Sequence, residues 1–241
     1  MKGIDFAKYC QSMVERVKRN YWRIKKLSKN DLNKDILFLS KKTNTSPIMV
    51  LRYKYKRMGY NKRKIMAILN LNSQKISEEM RSEIILASKN DPVYSQKGIE
   101  FSYWRGKEGE EIIKDWLEYK KIKFKQDPGN DKIGLPDFLL KESITINNKR
   151  IKWIESKCSY GNLLEQKNNI KQFTKFDNLY GNDGSIVYWF GFEKNNKLKR
   201  RFILNWEDIL RIIPNHLHER VNKLVNDIPE EFEHLIYPIK E

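Results

Sequence analysis

The chain has 241 residues, and its 48 Lys and Arg outnumber its 31 Asp and Glu, which gives a formal net charge of +17. The hydrophobic fraction of 39% excludes wholesale disorder, and two cysteines are too few for a secreted disulfide framework. No stretch approaches the roughly 20 apolar residues that span a bilayer, and residues 1–20 lack a signal-peptide core. We therefore expect an intracellular protein, cytoplasmic in a prokaryote and nuclear or cytoplasmic in a eukaryote.

The first region is helical in pattern. Apolar residues recur with a period near 3.6 over residues 6–29, and shorter helices are predicted over 35–42 and 61–69. A polar, proline-containing stretch at residues 90–95 is typical of a linker. The sequence thus predicts a basic helical region, residues 1–95, followed by a second domain, residues 96–241.

The positive charge is concentrated in the first region. Residues 1–95 contain 22 Lys and Arg against 8 Asp and Glu, whereas residues 96–241 contain 26 against 23. A basic surface favours phosphate polymers, because each neutralised phosphate releases counterions. We expect nucleic acid as the partner, and a merely solvated basic surface is the alternative.

A helix-turn-helix is predicted within the basic region. After the helix over 35–42, Ser46 is suited to cap a new helix and Pro47 to open it. A helix, a polar turn and a basic helix are typical of this motif, whose second helix lies in the major groove. A helical bundle with a solvated face is the competing interpretation. The predicted nucleic-acid contacts of the second helix are Arg52, Lys54, Lys56 and Arg57.

The second region changes to alternating helices and strands. A helix is predicted to open near Tyr103 and to run to Tyr119, where Gly106 and Gly109 allow close packing against a sheet and Glu110 follows. Strands and helices that alternate around one sheet predict an α/β fold. The predicted strands cover 123–126, 135–140, 151–158, 184–192 and 200–204, and the predicted helices cover 165–180, 207–213 and 216–226.

Acidic residues and one lysine are predicted to meet on this sheet. Side chains alternate along a strand, so Glu155 and Lys157 share a face that Asp137 reaches from the neighbouring strand and Glu110 from the helix. Such a carboxylate group repels itself without a cation and suits a hard divalent ion, Mg²⁺ or Mn²⁺. Lys157 would orient or deprotonate a water molecule, or balance developing charge.

Two motifs agree with this arrangement. Pro136-Asp137 followed by Glu155-Ser156-Lys157 matches the PD-(D/E)xK nuclease signature. The alternative is that these residues form an ordinary surface salt bridge and match the signature by chance. Gln172 and Phe176 resemble a Q-x-x-x-Y motif with Phe in place of Tyr, which removes a hydroxyl. Gln172 would orient substrate or a metal-bound water, or would simply lie on the helix surface.

A longer series of motifs resembles the codanin-interacting nuclease family, which is named for a Thr-Pro-Asp motif. The resemblance runs over roughly residues 90–205 and includes Arg105-Gly106, Gly109-Glu110, Pro136-Asp137-Phe138, Trp153–Lys157, Gly161, Gln172-Phe173 and Tyr188–Phe192. It implies metal-binding roles for Glu110, Asp137 and Glu155, a catalytic role for Lys157, and a helix-turn-helix near the N-terminus. Leu135 stands where the family has Thr.

The resulting expectation is an α/β restriction-endonuclease-like core, with a mixed central sheet flanked by helices, preceded by an all-α helix-turn-helix region. We expect a metal-dependent nuclease that acts on DNA more than RNA, as one copy or a homodimer, with Arg105 among its nucleic-acid contacts. No membrane partner is expected and no protein partner is indicated. The rivals are a non-catalytic nucleic-acid-binding protein with a relic nuclease fold and a structural scaffold.

Overall fold

The computed structural model describes residues 2–73, 76–127, 134–194 and 202–236. Contacts group the chain into two compact units. The sheet unit joins Met1–Lys8 to Trp104–Asp227, and the helical unit joins Tyr9–Tyr103 to Ile228–Glu241. The predicted division between residues 95 and 96 stays a prediction, and the grouping changes at Tyr103–Trp104.

Helices build the first part of the chain, as the periodicity predicts. Buried Ile24, Leu39, Leu51, Tyr55 and Ile84 belong to one apolar cluster that holds them together. The helix over residues 78–89 was not predicted, although Ser77 caps it through Met80 N and two glutamates open it. The helices are α1 (Lys2–Lys25), α2 (Ile36–Thr43), α3 (Pro47–Arg57), α4 (Lys62–Leu69), α5 (Glu78–Lys89) and α6 (Gln96–Tyr119).

The turn between α2 and α3 has the predicted cap at Ser46. Asn44 ends α2 in the left-handed conformation, with φ of 51°, and Ser46 Oγ accepts from Met49 N at the start of α3. The buried carboxylate of Asp91 accepts from Ser46 Oγ and from Ile48 N, which ties the start of α3 to the segment before α6. A rigid helix, turn and helix therefore exist here.

A mixed five-stranded sheet, in the described part of the chain, confirms the α/β architecture of the second region. The strands lie in the order β1-β2-β3-β4-β5; β1, β2 and β3 pair antiparallel, and β3, β4 and β5 pair parallel. The strands are β1 (Phe124–Gln126), β2 (Phe138–Ile146), β3 (Lys149–Lys157), β4 (Gly184–Tyr188) and β5 (Phe202–Leu204).

Helices flank this sheet on the chain between and after its strands. Helix α7 crosses from β3 to β4, which a parallel pair requires. The remaining α-helices are α7 (Leu163–Tyr180), α8 (Trp206–Ile212), α9 (His218–Asn226) and α10 (Glu230–Glu233), and α10 belongs to the helical unit rather than to the sheet unit. Among the described residues, no helix combines the length and the apolar character needed to cross a membrane.

Two local predictions need correction. Strand β4 ends at Tyr188, because the chain turns at residues 189–190 with Gly191 at φ of 82°, although Trp189 and Phe190 stay buried. Helix α6 begins at Gln96 and not near Tyr103, because Ser95 Oγ accepts from Gly98 N at its start. The Gly- and Asp-rich sequence of residues 127–134 also predicts a loop, and most of it lies outside the described residues, as does the beginning of the strand predicted over 200–204.

Candidate active site

Asp137 and Glu155 meet where β2 begins and β3 ends. The antiparallel register pairs Phe138 with Ile154, so the preceding residue of β2 faces the following residue of β3. Asp137 N donates to Glu155 Oε2 at 3.1 Å, and Ser156 N donates to Asp137 Oδ2 at 2.7 Å. These two bonds fix both carboxylates against the sheet backbone, and the Glu155 residue is only 2% exposed.

Lys157 and Gln172 complete a hydrogen-bonded group around Glu155. Lys157 Nζ donates to Glu155 Oε1 at 2.7 Å and to Gln172 Oε1 at 3.4 Å. Gln172 Nε2 donates to the same Glu155 Oε1 at 2.9 Å. The amide of Gln172, which α7 supplies, thus contacts both members of the ion pair and holds their relative position.

Glu110 reaches this group from α6 because Gly109 lets the helix approach the sheet. A Cβ at Gly109 would lie 2.6 Å from both Cys158 Sγ and Trp189 Nε1, whereas a Cβ at Gly106 would meet nothing within 4 Å. Of the two glycines that the sequence singles out, only Gly109 is therefore required for close packing. Electrostatic interactions join Glu110 to Glu155 and Lys157.

The charges of the site disturb one another. Burial, then the charge of Glu155, raises the pKa of Asp137 to about 8. Burial and the charge of Glu155 also raise the pKa of Glu110. Burial lowers the pKa of Lys157, but the charge and hydrogen bond of Glu155 more than offset it, so the net shift is upward. The lysine therefore carries its proton at neutral pH.

One acidic residue of this neighbourhood was not predicted as part of it. Asp127 follows β1, and its backbone N donates to Asp137 O at 3.2 Å. The charge of Asp127 contributes to the raised pKa of Glu110. The pairing of Gln126 with Phe138 places Asp127 beside Asp137, so correct pairing of β1 with β2 would have found it.

The carboxylates of Glu110, Asp137 and Glu155 are the chemical type of ligand that a hard divalent cation prefers, because such cations bind carboxylate oxygens. The positions do not form a ready site. Among the described residues, no group of three or more His, Cys, Asp or Glu side chains is arranged to hold a metal ion. Lys157 and Gln172 both donate to Glu155 Oε1, so that oxygen is engaged by protein groups. Metal binding by Glu110, Asp137 and Glu155 stays a prediction.

Phe176 belongs to the core rather than to the site. It is 2% exposed and packs edge-to-face on Trp153, with ring centroids 5.4 Å apart. Gln172, four residues earlier, is exposed and faces Glu155. Phenylalanine therefore suits this position, because a phenol hydroxyl there would require a partner in an apolar cluster.

The four basic residues predicted on α3 fall into two groups. Lys56 and Arg57 are exposed near the end of the helix. Lys54 Nζ binds Glu83 Oε1 of α5 at 2.7 Å, and Arg52 is half-buried with Nη1 at 3.8 Å from Met49 Sδ. Lys54 and Arg52 are therefore engaged by neighbouring helix residues, Arg57 Nη1 donates to the Tyr53 hydroxyl, and contact of any of the four with nucleic acid stays a prediction.

Arg105 is buried and not placed at the surface. Only 5% of it is exposed, and its guanidinium lies 3.7 Å from the centroid of the Phe190 ring. A guanidinium stacked on an aromatic ring in the interior stabilises packing. Arg105 thus contributes to the interior, and its contact with nucleic acid stays a prediction.

Comparison with known proteins agrees with the motifs. The family model described as "Protein of unknown function TPD sequence-motif" matches residues 76–207. The chain is similar to CDAN1-interacting nuclease 1 of Bos taurus and of Homo sapiens, with 33% identity over 93 residues, 36% of this chain and 32% of each relative. The protein of that name from Danio rerio is 32% identical over 93 residues, 36% of this chain and 30% of its own.

These alignments cover about a third of the length of the curated relatives, and no solved structure matches the chain significantly. The family model, by contrast, covers more than half of the chain and includes Glu110, Asp137, Glu155 and Lys157. The resemblance that the sequence motifs indicate is confirmed: this chain belongs to the codanin-interacting nuclease family, the TPD-motif family.

Proposed function

We propose that the chain is a metal-dependent nuclease of the PD-(D/E)xK type, with a restriction-endonuclease-like core, that hydrolyses phosphodiester bonds in DNA. The observation that carries the proposal is the hydrogen-bonded group of Asp137, Glu155 and Lys157 at the ends of two paired strands. The charge of Glu110 faces this group. The names of the curated relatives, which are nucleases, support the same reaction class.

Each side chain has a distinct role in the proposal. Glu110, Asp137 and Glu155 would hold the cation, Mg²⁺ or Mn²⁺, because their mutual repulsion is relieved by positive charge. When bound, such a cation polarises a phosphoryl oxygen and lowers the pKa of a coordinated water. The ammonium of Lys157 stabilises negative charge that develops on the phosphate. Gln172 is a positioning residue, since it contacts both Lys157 and Glu155.

A non-catalytic nucleic-acid-binding protein is the second candidate. The lack of a ready three-ligand site among the described residues favours it. It would retain the basic helical region, residues 1–95, which contains 22 Lys and Arg and only 8 Asp and Glu. This candidate predicts nucleic-acid binding without metal-dependent cleavage.

A cleavage panel separates the two candidates. The full chain would be incubated with Mg²⁺, Mn²⁺ or EDTA and with single-stranded, duplex, branched and flapped DNA and RNA. We expect metal-dependent cleavage that Asp137→Ala and Lys157→Ala each reduce at least about a hundredfold. Lys120→Ala, which removes an exposed lysine just after α6, is the matched control and should cleave like the wild type.

Circular dichroism would establish that the variants are folded. Absence of cleavage from every substrate, or cleavage that survives both site substitutions, would contradict the enzymatic proposal. Cleavage of RNA but not of DNA would support phosphodiester hydrolysis and would show that the substrate is RNA.

A further inference from the structure

Exposed aromatic rings and cations lie together at the end of α1. Trp22 is 51% exposed and Tyr21 is 36% exposed, both large fractions for residues that usually bury their rings. Lys26 Nζ lies 4.6 Å from the centroid of the Trp22 ring, and the Arg23 guanidinium lies 5.5 Å from it. Lys25 Nζ lies 5.4 Å from the Tyr21 ring. We call these five residues the aromatic platform.

The platform continues onto the end of α3. The hydroxyl of Tyr53 donates to Lys25 O at 3.1 Å, and Arg57 Nη1 donates to the Tyr53 hydroxyl at 3.2 Å. Arg57 is exposed, so its charge adds to the positive edge of the platform. These contacts all lie within the helical unit and connect α1 to α3 at one surface.

A cleft of about 640 Å³ opens beside Arg57. Its lining includes Lys29, Lys54, Tyr55 and Glu83. The volume lies within the range of pockets that hold small organic groups.

We propose that the platform and the adjoining cleft bind an unpaired strand of nucleic acid. Bases stack on Trp22 and Tyr21, cations neutralise the phosphates, and the cleft receives a base. Stacking on exposed aromatic rings requires unpaired bases, because a duplex keeps its base faces inside its own stack. The excess of Lys and Arg over residues 1–95 supplies charge complementary to such a strand.

The arrangement of α3 also favours an unpaired strand over a duplex. Major-groove binding requires several side chains of the second helix to reach base edges. Lys54 is bound to Glu83, and Arg52 is half-buried, so two of the predicted contacts are engaged elsewhere. This inference deepens the proposed function by naming the strand state of the substrate, but binding at the platform does not depend on cleavage.

Binding without cleavage tests the inference. The full chain in EDTA would be titrated into fluorescein-labelled single-stranded DNA, single-stranded RNA and duplex DNA of equal length, with fluorescence anisotropy as the readout. We expect tighter binding to both single strands than to the duplex. Trp22→Ala should weaken single-strand binding about tenfold, and Trp22→Phe should retain most of it, because a ring is kept.

Matched variants test whether the loss of binding is specific to the platform rather than caused by a general loss of charge or of folding. Tyr119 is also an exposed aromatic, 57% accessible, with Lys120 Nζ 5.9 Å from its ring, but it lies in the sheet unit. Tyr119→Ala should bind like the wild type. Lys26→Gln should weaken binding and should lower the slope of log affinity against log salt concentration by about one, which corresponds to one counterion fewer released. Lys120→Gln should change neither the affinity nor this slope. Thermal melting of Trp22→Ala would establish that it is folded.

Unchanged single-strand binding by folded Trp22→Ala would overturn the inference, as would a duplex preference that Trp22→Ala leaves intact. These outcomes are distinct from failure of the proposed function. Metal-dependent cleavage by a chain that binds no single strand would refute the platform alone. Platform-dependent binding without any cleavage would support the platform and refute the nuclease.

Discussion

Two groups of acidic side chains, one in each unit, are used in opposite ways. In the helical unit, Asp31 binds Lys42 and Glu83 binds Lys54, each at 2.7 Å. In the sheet unit, Asp137 and Glu155 lie beside each other and interact with Lys157. The first arrangement lowers the repulsion among charges, whereas the second retains it.

This difference indicates which of the two acidic groups lowers the stability of the fold. A carboxylate held among other carboxylates costs folding free energy, and such groups concentrate at functional sites. The formal charge count does not reveal this contrast, because it assigns Asp31 and Asp137 the same value. Their neighbours in the fold shift the pKa of the two residues in opposite directions.

The largest expected effect comes from separating α6 from the sheet. Gly109→Ala places a Cβ 2.6 Å from Cys158 Sγ and Trp189 Nε1, so the helix must move and carry Glu110 with it. We expect a loss of about 1–3 kcal/mol in the free energy of unfolding, from overpacking. Chemical denaturation measures this loss.

Gly106→Ala is the control for that change. A Cβ there meets nothing within 4 Å, and alanine is the better helix former by about 1 kcal/mol. We expect a small gain in stability. Equal effects of the two substitutions would contradict the close approach of α6 that positions Glu110.

A pH titration of stability should distinguish Asp137 from ordinary acids. The folded pKa of Asp137 is raised to about 8 from 3.8, so between these values the folded chain keeps a proton that the unfolded chain loses. Its contribution to stability is present below about pH 4 and is lost as the pH rises towards 8. Asp137→Asn should therefore flatten this decline in metal-free protein, measured by denaturation in EDTA.

Asp31 should show the opposite sign. Hydrogen bonds from Lys42 and Ser28 lower its pKa, so its contribution is present above about pH 4 and is lost as the pH falls further. Because Asp31 lies at the surface, the effect of Asp31→Asn should be smaller and should weaken in salt. The same pH slope for both variants would refute the contrast between the two units.

The smallest effects concern two lysines of α3. Lys54→Gln breaks the ion pair with Glu83 and should cost up to about 1 kcal/mol of stability. Lys56→Gln removes an exposed charge and should leave stability within about 0.5 kcal/mol of the wild type while weakening nucleic-acid binding. Denaturation and anisotropy on the same samples separate these outcomes, and a reversed pattern would contradict the assignment.

Local patterns in the sequence predicted much of the fold. The cap at Ser46 and the pairing of Asp137 with Glu155 depend on neighbouring residues or on strand alternation, and the structure contains both. Helix α5 was missed, although the cap at Ser77 and the glutamates after it were a usable signal.

Contacts between distant residues could not be predicted in this way. The burial of Arg105 depends on Phe190, which lies in a turn far along the chain. The pairing of Lys54 with Glu83 likewise joins two helices whose packing no periodicity specifies. Sequence patterns show which residues are charged, but tertiary contacts decide which charges remain at the surface.

Direct titration with Mn²⁺ tests the central claim that the carboxylates of the sheet unit serve a cation. Isothermal titration calorimetry would compare the wild type, Asp137→Asn and Asp31→Asn in metal-free buffer. We expect saturable binding by the wild type and Asp31→Asn, with heat lost in Asp137→Asn. Equal binding by all three proteins, or none by the wild type, would contradict the claim.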